Sequence, residues 1–226
     1  MTSIGTDVAD AIGEIRASLV RMHLDLVRNG LVVWTGGNVS ARVPGAELMV
    51  IKPSGIDYND LTPESMVVCD LHGRAVEGDL APSSDTAAHA YIYRQMPHVG
   101  GVAHTHSTYA VAWAARGESV PCVLTAMADE FGGDIPVAPF ALIGTDAIGR
   151  AVVATLEGSK SLAVLVQNHG PFTIGRDARA AVKAAVMCED VCRTVHIAFQ
   201  LGEPVPIAAD AIRSLHDRYQ NAYGQR

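Results

Sequence analysis

The sequence lacks the features that mark membrane, secreted and nucleic-acid-binding proteins. No apolar run approaches the roughly 18 residues that a membrane-spanning helix needs. Residues 1–10 carry neither the basic nor the apolar segment of a signal peptide, and the spacing of the four cysteines does not suggest a disulfide framework. The formal net charge of −7 argues against non-specific binding to nucleic acid. We therefore expect a cytoplasmic protein that binds neither membranes nor nucleic acids.

Charged residues are also few, at 18% of the chain, while hydrophobic residues make up 49%. This composition is typical of a well-packed globular protein and not of a disordered one. The 226 residues are enough for one large domain, and no linker, internal repeat or low-complexity tract divides them. We therefore expect a single domain over residues 1–226.

The spacing of apolar residues predicts helices and strands in irregular alternation. Apolar positions three and four residues apart predict helices over 8–26 and 177–201, with shorter helices at 86–95, 107–115, 145–156 and 208–218. Strands are predicted at 39–43, 48–51, 66–71, 101–106 and 162–166, and a loop containing a strand at 121–134. Because no βαβ unit repeats, we expect an α/β fold in which helices cover both faces of a mixed sheet.

The most informative stretch is His104-Thr105-His106, at the end of a predicted strand. Side chains two residues apart on a strand point to the same face, so both imidazoles should lie side by side. Two imidazoles on one face are poor core material but good metal ligands. His169, which follows the strand at 162–166, and Asp85, which precedes a helix, are candidates for further ligands. The alternative is a pair of half-exposed histidines bonded to the backbone.

Three short loops contain groups that bind anions. They carry Gly37 and Asn38, then Lys52, Ser54 and Gly55, and finally Ser83 and Ser84 before a helix. Backbone amides in glycine loops and at helix N-termini bind phosphate groups. A plain hairpin turn would explain the first loop, and helix capping the third, equally well. These stretches alone leave both interpretations open.

Taken together, these motifs resemble those of the class II aldolase/adducin family, and within it the L-ribulose-5-phosphate 4-epimerases. The matching segments occur in family order along nearly the whole chain: Gly37-Asn38-Val39-Ser40, Lys52-Pro53-Ser54-Gly55, Pro82-Ser83-Ser84-Asp85-Thr86, His104-Thr105-His106-Ser107, Ala128-Asp129, Asn168-His169-Gly170-Pro171-Phe172 and Asn221-Ala222-Tyr223-Gly224-Gln225. Individually the loops are weak signals, whereas their combination with three histidines is specific.

The resemblance implies a fold, a metal site and a set of site residues. The fold would be a three-layer α-β-α sandwich with a mixed, mostly antiparallel sheet. A zinc ion, or another divalent transition metal, would be held by Asp85, His104, His106 and His169. The phosphorylated ketopentose would be bound by Gly37, Asn38, Lys52, Ser54, Gly55, Ser83, Ser84 and Asp85. Asp129 and Tyr223 match the acid/base pair of the epimerases, whose sites lie at the subunit interfaces of a homotetramer.

The implied activity is epimerisation at C4 of L-ribulose 5-phosphate to D-xylulose 5-phosphate by cleavage and re-formation of the C3–C4 bond. Aspartate at position 85 favours the epimerase, because the family's aldolases usually have glutamate there. The alternatives are an aldolase acting on a related sugar phosphate such as L-fuculose 1-phosphate, and a sugar-phosphate dehydratase with the same metal. A non-enzymatic adducin-like domain is a further alternative, although such domains lack the metal-binding histidines.

Overall fold

Strands and helices alternate irregularly over residues 5–222, which are the residues that the structure, a computed structural model, describes. The strands are β1 (Asn38–Arg42), β2 (Leu48–Ile51), β3 (Val67–Asp70), β4 (Ala75–Glu77), β5 (Gly101–His104), β6 (Val137–Ala138), β7 (Ala163–Val166) and β8 (Gly170–Gly175). The helices are α1 (Thr6–Arg28), α2 (Thr86–Gln95), α3 (Thr108–Arg116), α4 (Thr125–Phe131), α5 (Ala147–Leu156), α6 (Ala178–Leu201) and α7 (Ala209–Ala222).

The strands of the described residues join in one eight-stranded sheet with the order β4-β3-β2-β1-β5-β8-β7-β6. Neighbouring strands are antiparallel except β6 and β7, which are parallel. The prediction of a mixed, mostly antiparallel sheet is therefore confirmed. In the centre, Asn38 at the start of β1 lies opposite His104 at the end of β5, so these two strand ends place their side chains at one edge of the sheet.

Helices cover both faces of the sheet, which confirms the three-layer α-β-α sandwich. Met49 and Ile51 of β2 belong to a core beneath α2 and α5. Val50, between them, points to the other face and packs against residues of α1 and α6. A third cluster joins α3, α4 and α6 to β7. This alternation is what a strand buried on both faces requires.

Two predicted elements differ from the structure, and the strands β4, β6 and β8 were not predicted. Residues 121–134 were expected to form a loop with a strand, but they contain α4, which ends at Gly132 with φ of 65°. The strand predicted over 101–106 ends at His104, because the His106 N–H donates to the Leu31 carbonyl outside the sheet. The segment after His169 forms β8, which the sequence did not reveal because it begins with Gly-Pro and ends with Gly.

The structure tests the expectations about membrane helices and disulfides, but not those about location and domain number. Between residues 5 and 222, no helix combines the length and the hydropathy that crossing a bilayer requires. Cys69, Cys122, Cys188 and Cys192 are all unpaired and buried. The cytoplasmic location and the single domain over residues 1–226 stay predictions.

Candidate active site

His104 is held rigidly at the end of β5. Its side chain is fully buried, and its ring stacks on Phe172 with a centroid distance of 4.2 Å and an interplanar angle of 16°. Its Nδ1 lies 3.0 Å from the Pro171 carbonyl, an acceptor, so Nδ1 carries the proton and donates it. Burial is the main cause that lowers the pKa of His104 to about 3. The neutral ring therefore presents an unprotonated Nε2, which is the form that binds metals.

His106 and His169 meet His104 at this nitrogen. The Nε2 atoms of His104 and His106 lie 2.9 Å apart. His169 follows Asn168, whose φ of 59° makes the sharp turn between β7 and β8, and its ring centroid lies 4.7 Å from that of His104. One ligand nitrogen from each ring lies within 4.8 Å of the others. Burial is the main cause that lowers the pKa of His106 and His169 too.

These three imidazoles fit a metal ion. Among the described residues, the buried Nδ1 of His169 has no hydrogen-bond partner. Nitrogens at about 2.0–2.1 Å from a tetrahedral zinc lie roughly 3.3 Å from one another, and the observed cluster is within small side-chain rotations of that spacing. A hydrogen bond between the Nε2 atoms of His104 and His106 can use only one of the lone pairs, whereas a metal ion would use one from each of the three imidazoles.

Asp85 lies beside this cluster. Its Oδ2 accepts a hydrogen bond of 2.8 Å from the side-chain amide of Asn38, and the amide also donates to Ser83 Oγ at 3.0 Å. The other carboxylate oxygen, Oδ1, is buried without a partner among the described residues. Burial raises the pKa of the Asp85 carboxyl, but the neighbouring His104 and the Asn38 amide outweigh it and the net direction is down. Asp85 is not within the three-nitrogen cluster, so its role as a ligand stays a prediction.

The predicted substrate-binding residues surround one cavity of about 300 Å³ beside the histidines. Its walls include all eight of them together with two of the histidines: Gly37, Asn38, Lys52, Ser54, Gly55, Ser83, Ser84, Asp85, His106 and His169. Thr35, Gly36, Pro53 and Ile143 complete the lining. A larger cavity of about 560 Å³ lies at the opposite ends of β1 and β5, but its walls are mainly apolar and bring no metal-ligating cluster together.

The cavity wall offers positive charge and unpaired donors. The Lys52 side chain is buried, and none of the described carboxylates forms an ion pair with it. Burial lowers the pKa of its ammonium group. Within residues 5–222, the backbone N–H groups of Gly37, Gly55 and Ser84 donate to no acceptor. A buried cation and several unpaired amides around one cavity suit a bound anion.

The two predicted catalytic residues, Asp129 and Tyr223, differ in what the structure describes of them. Asp129 lies on α4 and is not among the residues that line the cavity. Its carbonyl oxygen lies 3.2 Å from Nδ1 of His216 on α7, which donates to it, and its carboxylate Oδ1 is buried without a partner among the described residues. Tyr223 lies outside the described residues. The catalytic roles of both stay predictions.

The comparisons with known proteins agree with this geometry. The model of the class II aldolase and adducin N-terminal domain matches residues 17–196. A solved L-fuculose 1-phosphate aldolase is 29% identical, with a TM-score of 0.89 over 96% of this chain and 100% of that chain. YgbL from Klebsiella pneumoniae, described as an aldolase, epimerase or decarboxylase, is 26% identical, with a TM-score of 0.77 over 91% and 99%.

A more distant structure shares the fold. The L-fuculose-1-phosphate aldolase from Thermus thermophilus is 24% identical, with a TM-score of 0.67 over 84% of this chain and 98% of that chain. Because the family model matches more than half of the sequence, the chain belongs to the class II aldolase and adducin family.

Proposed function

We propose that the protein epimerises L-ribulose 5-phosphate at C4, giving D-xylulose 5-phosphate, with a bound zinc ion or another divalent transition metal. The observation that carries the proposal is the convergence of His104, His106 and His169 beside a cavity lined by a buried lysine and unpaired amides. One wall of the site suits a metal, and the other suits a phosphate group.

The substrate dictates the bond that must break. The hydrogen on C4 of a ketopentose phosphate is not acidic, so simple deprotonation cannot invert that carbon. Removing the proton of the C4 hydroxyl lets the C3–C4 bond break, and its electron pair moves toward the C2 carbonyl oxygen. The fragments are the enediolate of dihydroxyacetone and glycolaldehyde phosphate. The aldehyde then turns its other face to C3, the bond re-forms, and the C4 oxygen takes up a proton.

The histidine cluster would hold the metal, with Asp85 as a candidate fourth ligand. A divalent metal bound there would act as a Lewis acid and stabilise the negative charge that develops on the substrate. Pro171 fixes the tautomer of His104 through its Nδ1, and Asn38 orients the Asp85 carboxylate. These two contacts keep the donor atoms aimed at the site before substrate arrives.

The other cavity wall would bind the phosphate through Gly37, Asn38, Lys52, Ser54, Gly55, Ser83 and Ser84. In this substrate the phosphate is on C5, so it stays with the aldehyde fragment after cleavage. Anchoring the phosphate would keep that fragment in the site while its carbonyl turns over. An epimerase needs such an anchor, because it must retain both fragments until the bond re-forms.

Two groups are needed to move the proton, because the aldehyde presents opposite faces in the two half-reactions. We assign these roles to Asp129 and Tyr223. Since Asp129 does not line the cavity of its own chain, we propose a homotetramer in which a neighbouring copy supplies both residues. Large apolar side chains are exposed near the cavity, which supports a subunit interface there. Val33 and Trp34 directly precede the lining residue Thr35, and Phe140 and Leu142 lie next to the lining residue Ile143, which is itself exposed.

A second candidate is aldol cleavage with release of the fragments. It is favoured by the 29% identity to an L-fuculose 1-phosphate aldolase over 96% of this chain. In that reaction the phosphate is on C1, so it stays with the enediolate fragment. The same metal and anion sites would serve, with the phosphate on the opposite side of the bond that breaks.

A substrate comparison tests the proposal. Metal-loaded protein is incubated separately with L-ribulose 5-phosphate, unphosphorylated L-ribulose and L-fuculose 1-phosphate, and products are followed by NMR. We expect D-xylulose 5-phosphate from the first substrate without accumulation of dihydroxyacetone, and little turnover of the second. Release of dihydroxyacetone phosphate from L-fuculose 1-phosphate alone would establish the aldolase instead. Turnover of none of them by metal-loaded protein would contradict both candidates.

A further inference from the structure

Tyr58 lies behind the anion-binding wall and contacts it in two ways. Its side chain is buried, and its hydroxyl donates to the Gly36 carbonyl at 2.6 Å, with the Gly37 carbonyl at 3.1 Å. Its ring centroid lies 5.2 Å from the Lys52 ammonium group. Tyr58 does not line the cavity itself, whereas Gly36, Gly37 and Lys52 all do. One residue therefore holds both the loop and the cation from the side away from the cavity.

The contact with the Gly36 carbonyl fixes the direction of an amide. In a trans peptide the C=O and the following N–H point in opposite directions, and the structure has no cis peptide among the described residues. Holding the Gly36 carbonyl toward Tyr58 therefore turns the Gly37 N–H away from Tyr58. That N–H has no acceptor within residues 5–222, so it is available to an anion in the cavity.

The backbone at Gly37 is closely packed against its neighbours. Gly37 has φ of +81°, and a Cβ added there would meet Val32 Cγ1 at 2.7 Å and the His104 carbonyl at 2.9 Å. The loop is thus wedged between the strand that carries His104 and the hydroxyl of Tyr58. Loss of the Tyr58 hydroxyl would release the Gly36 carbonyl but not the contact of Gly37 with the His104 strand. We therefore expect the Gly36-Gly37 peptide plane to tilt while the metal-binding strand stays in place.

The contact between the Tyr58 ring and Lys52 affects the charged ammonium group of the lysine. Among the described residues, the hydrogen bonds of the ammonium group are two long ones to the backbone, 3.4 Å to the Thr35 carbonyl and 3.2 Å to the Pro53 carbonyl. A cation held near an aromatic face within about 6 Å is stabilised by the ring, more strongly when desolvated. The ring therefore adds to the more distant charge of Asp57, which partly offsets the lowering of the Lys52 pKa by burial, and helps to hold the ammonium group without a direct ion pair that would compete with a bound phosphate.

We propose that Tyr58 is a positioning residue for the substrate phosphate: its hydroxyl orients the Gly36-Gly37 peptide and its ring holds the Lys52 ammonium group. The inference rests on the proposed function, because it assigns how the phosphate of that substrate is bound. A purely structural role, as one more side chain of the core beneath α1, would affect folding and leave phosphate affinity unchanged.

The test is Tyr58→Phe, which removes only the hydroxyl. We expect the inhibition constant for inorganic phosphate and the KM for the phosphorylated substrate to rise together by about five- to tenfold, the effect of one hydrogen bond. We expect kcat to stay within about twofold and the bound metal to stay unchanged. The matched control is Tyr93→Phe, which removes another buried hydroxyl, bonded to Ser40 at 2.8 Å, from a residue that does not line the cavity; it should leave the phosphate constant unchanged.

A double-mutant cycle separates the hydroxyl from the ring. Phenylalanine keeps the ring, so the losses of phosphate affinity in Tyr58→Phe and Lys52→Gln should add in the double variant. Leucine removes the ring as well, so the double variant Tyr58→Leu/Lys52→Gln should lose less affinity than the sum of its single variants. An unchanged phosphate constant in folded Tyr58→Phe, with wild type inhibited by phosphate, would overturn the role of Tyr58 alone. If inorganic phosphate does not bind even to wild type, the phosphate site of the proposed function fails as well.

Discussion

The side-chain amide of Asn38 donates a 2.8 Å hydrogen bond to the carboxylate of Asp85. The bond joins the first residue of β1 to the residue that precedes α2. Both residues line the cavity that the histidine cluster and the anion-binding loops share. The contact thus links two segments of the site that are distant in sequence.

Removing this amide should lower turnover while leaving the metal bound. In Asn38→Ala the Asp85 carboxylate loses its donor, and a hydrogen bond to a charged group is worth roughly a 10- to 100-fold factor. We expect kcat to fall within that range and the metal content to stay near that of wild type. The control is Asn59→Ala, an exposed asparagine whose amide donates to Asp57 at 3.0 Å outside the cavity. Unchanged turnover in Asn38→Ala would show that Asp85 needs no orientation by this residue.

The metal is best tested at His106, because this ligand candidate is exposed toward the cavity while His104 is part of the core. His106→Ala should therefore fold normally. We expect its metal content to drop and its turnover to fall by more than the roughly 10- to 100-fold that losing a supporting partner of a ligand costs. Metal analysis of the purified protein, with the exposed His72→Ala as control, measures the effect. Wild-type metal content in His106→Ala would remove His106 from the site.

The residues alone predict the part of the site that short-range geometry holds, whereas the three anion-binding loops could be joined to it only through the family resemblance. His104 and His106 are two residues apart, and their rings meet although the strand ends at His104. His169 could be named as a candidate because it lies three residues after the predicted strand that became β7. The alternation of side chains along a buried strand is local too, which is why the layers of the fold could be expected from the sequence.

The parts that the sequence misses depend on contacts between distant segments. Tyr58 meets Gly36 across 22 residues of chain, and no motif signals that contact. The position of Asp129 follows from the packing of α4 against α7, which the contact with His216 illustrates. Ile143 reaches the cavity from an irregular segment. Local patterns carry no information about such pairings, since tertiary packing decides them.

His23 makes the stability of the fold depend on pH. Its Nδ1 donates to the Leu19 carbonyl at 2.7 Å, and its Nε2 accepts the Val39 N–H at 2.9 Å. The buried ring is therefore neutral, and burial lowers its pKa from 6.5 to about 3. Between these two pH values the unfolded chain binds the extra proton and the folded chain does not. The contribution of His23 is thus present above about pH 6.5 and is lost as the pH falls toward about 3.

Replacing His23 should flatten this dependence. In His23→Gln, we expect a smaller loss of unfolding free energy on going from pH 7 to pH 4, the difference from wild type being at most about 3 kcal/mol. Urea titrations at each pH measure it. His72→Gln, at an exposed turn, should keep the slope of wild type. A His23→Gln protein with the full acid sensitivity of wild type would contradict the assignment of a neutral, buried imidazole.

The last prediction concerns the proposed supply of Asp129 by a neighbouring copy. Asp129→Asn and His106→Ala chains should each be nearly inactive alone, because one lacks a proton-transfer group and the other a metal ligand. After co-assembly, a site can combine His106 of the first chain with Asp129 of the second. Random mixing in a ring would restore about a quarter of the sites. Activity is measured against the fraction of mixed oligomers, determined by native mass spectrometry.

The matched control pairs Asp129→Asn with Tyr223→Phe. The carbonyl of Asp129 is bonded to His216 on α7, and Tyr223 directly follows the last residue of that helix. We therefore expect one chain to supply both groups to a given site, so this mixture should recover no activity. Recovery in the control but not with His106→Ala would mean that Asp129 serves the metal of its own chain and Tyr223 that of a neighbour. No recovery in either mixture, with mixed oligomers verified, would contradict catalysis by Asp129 across an interface.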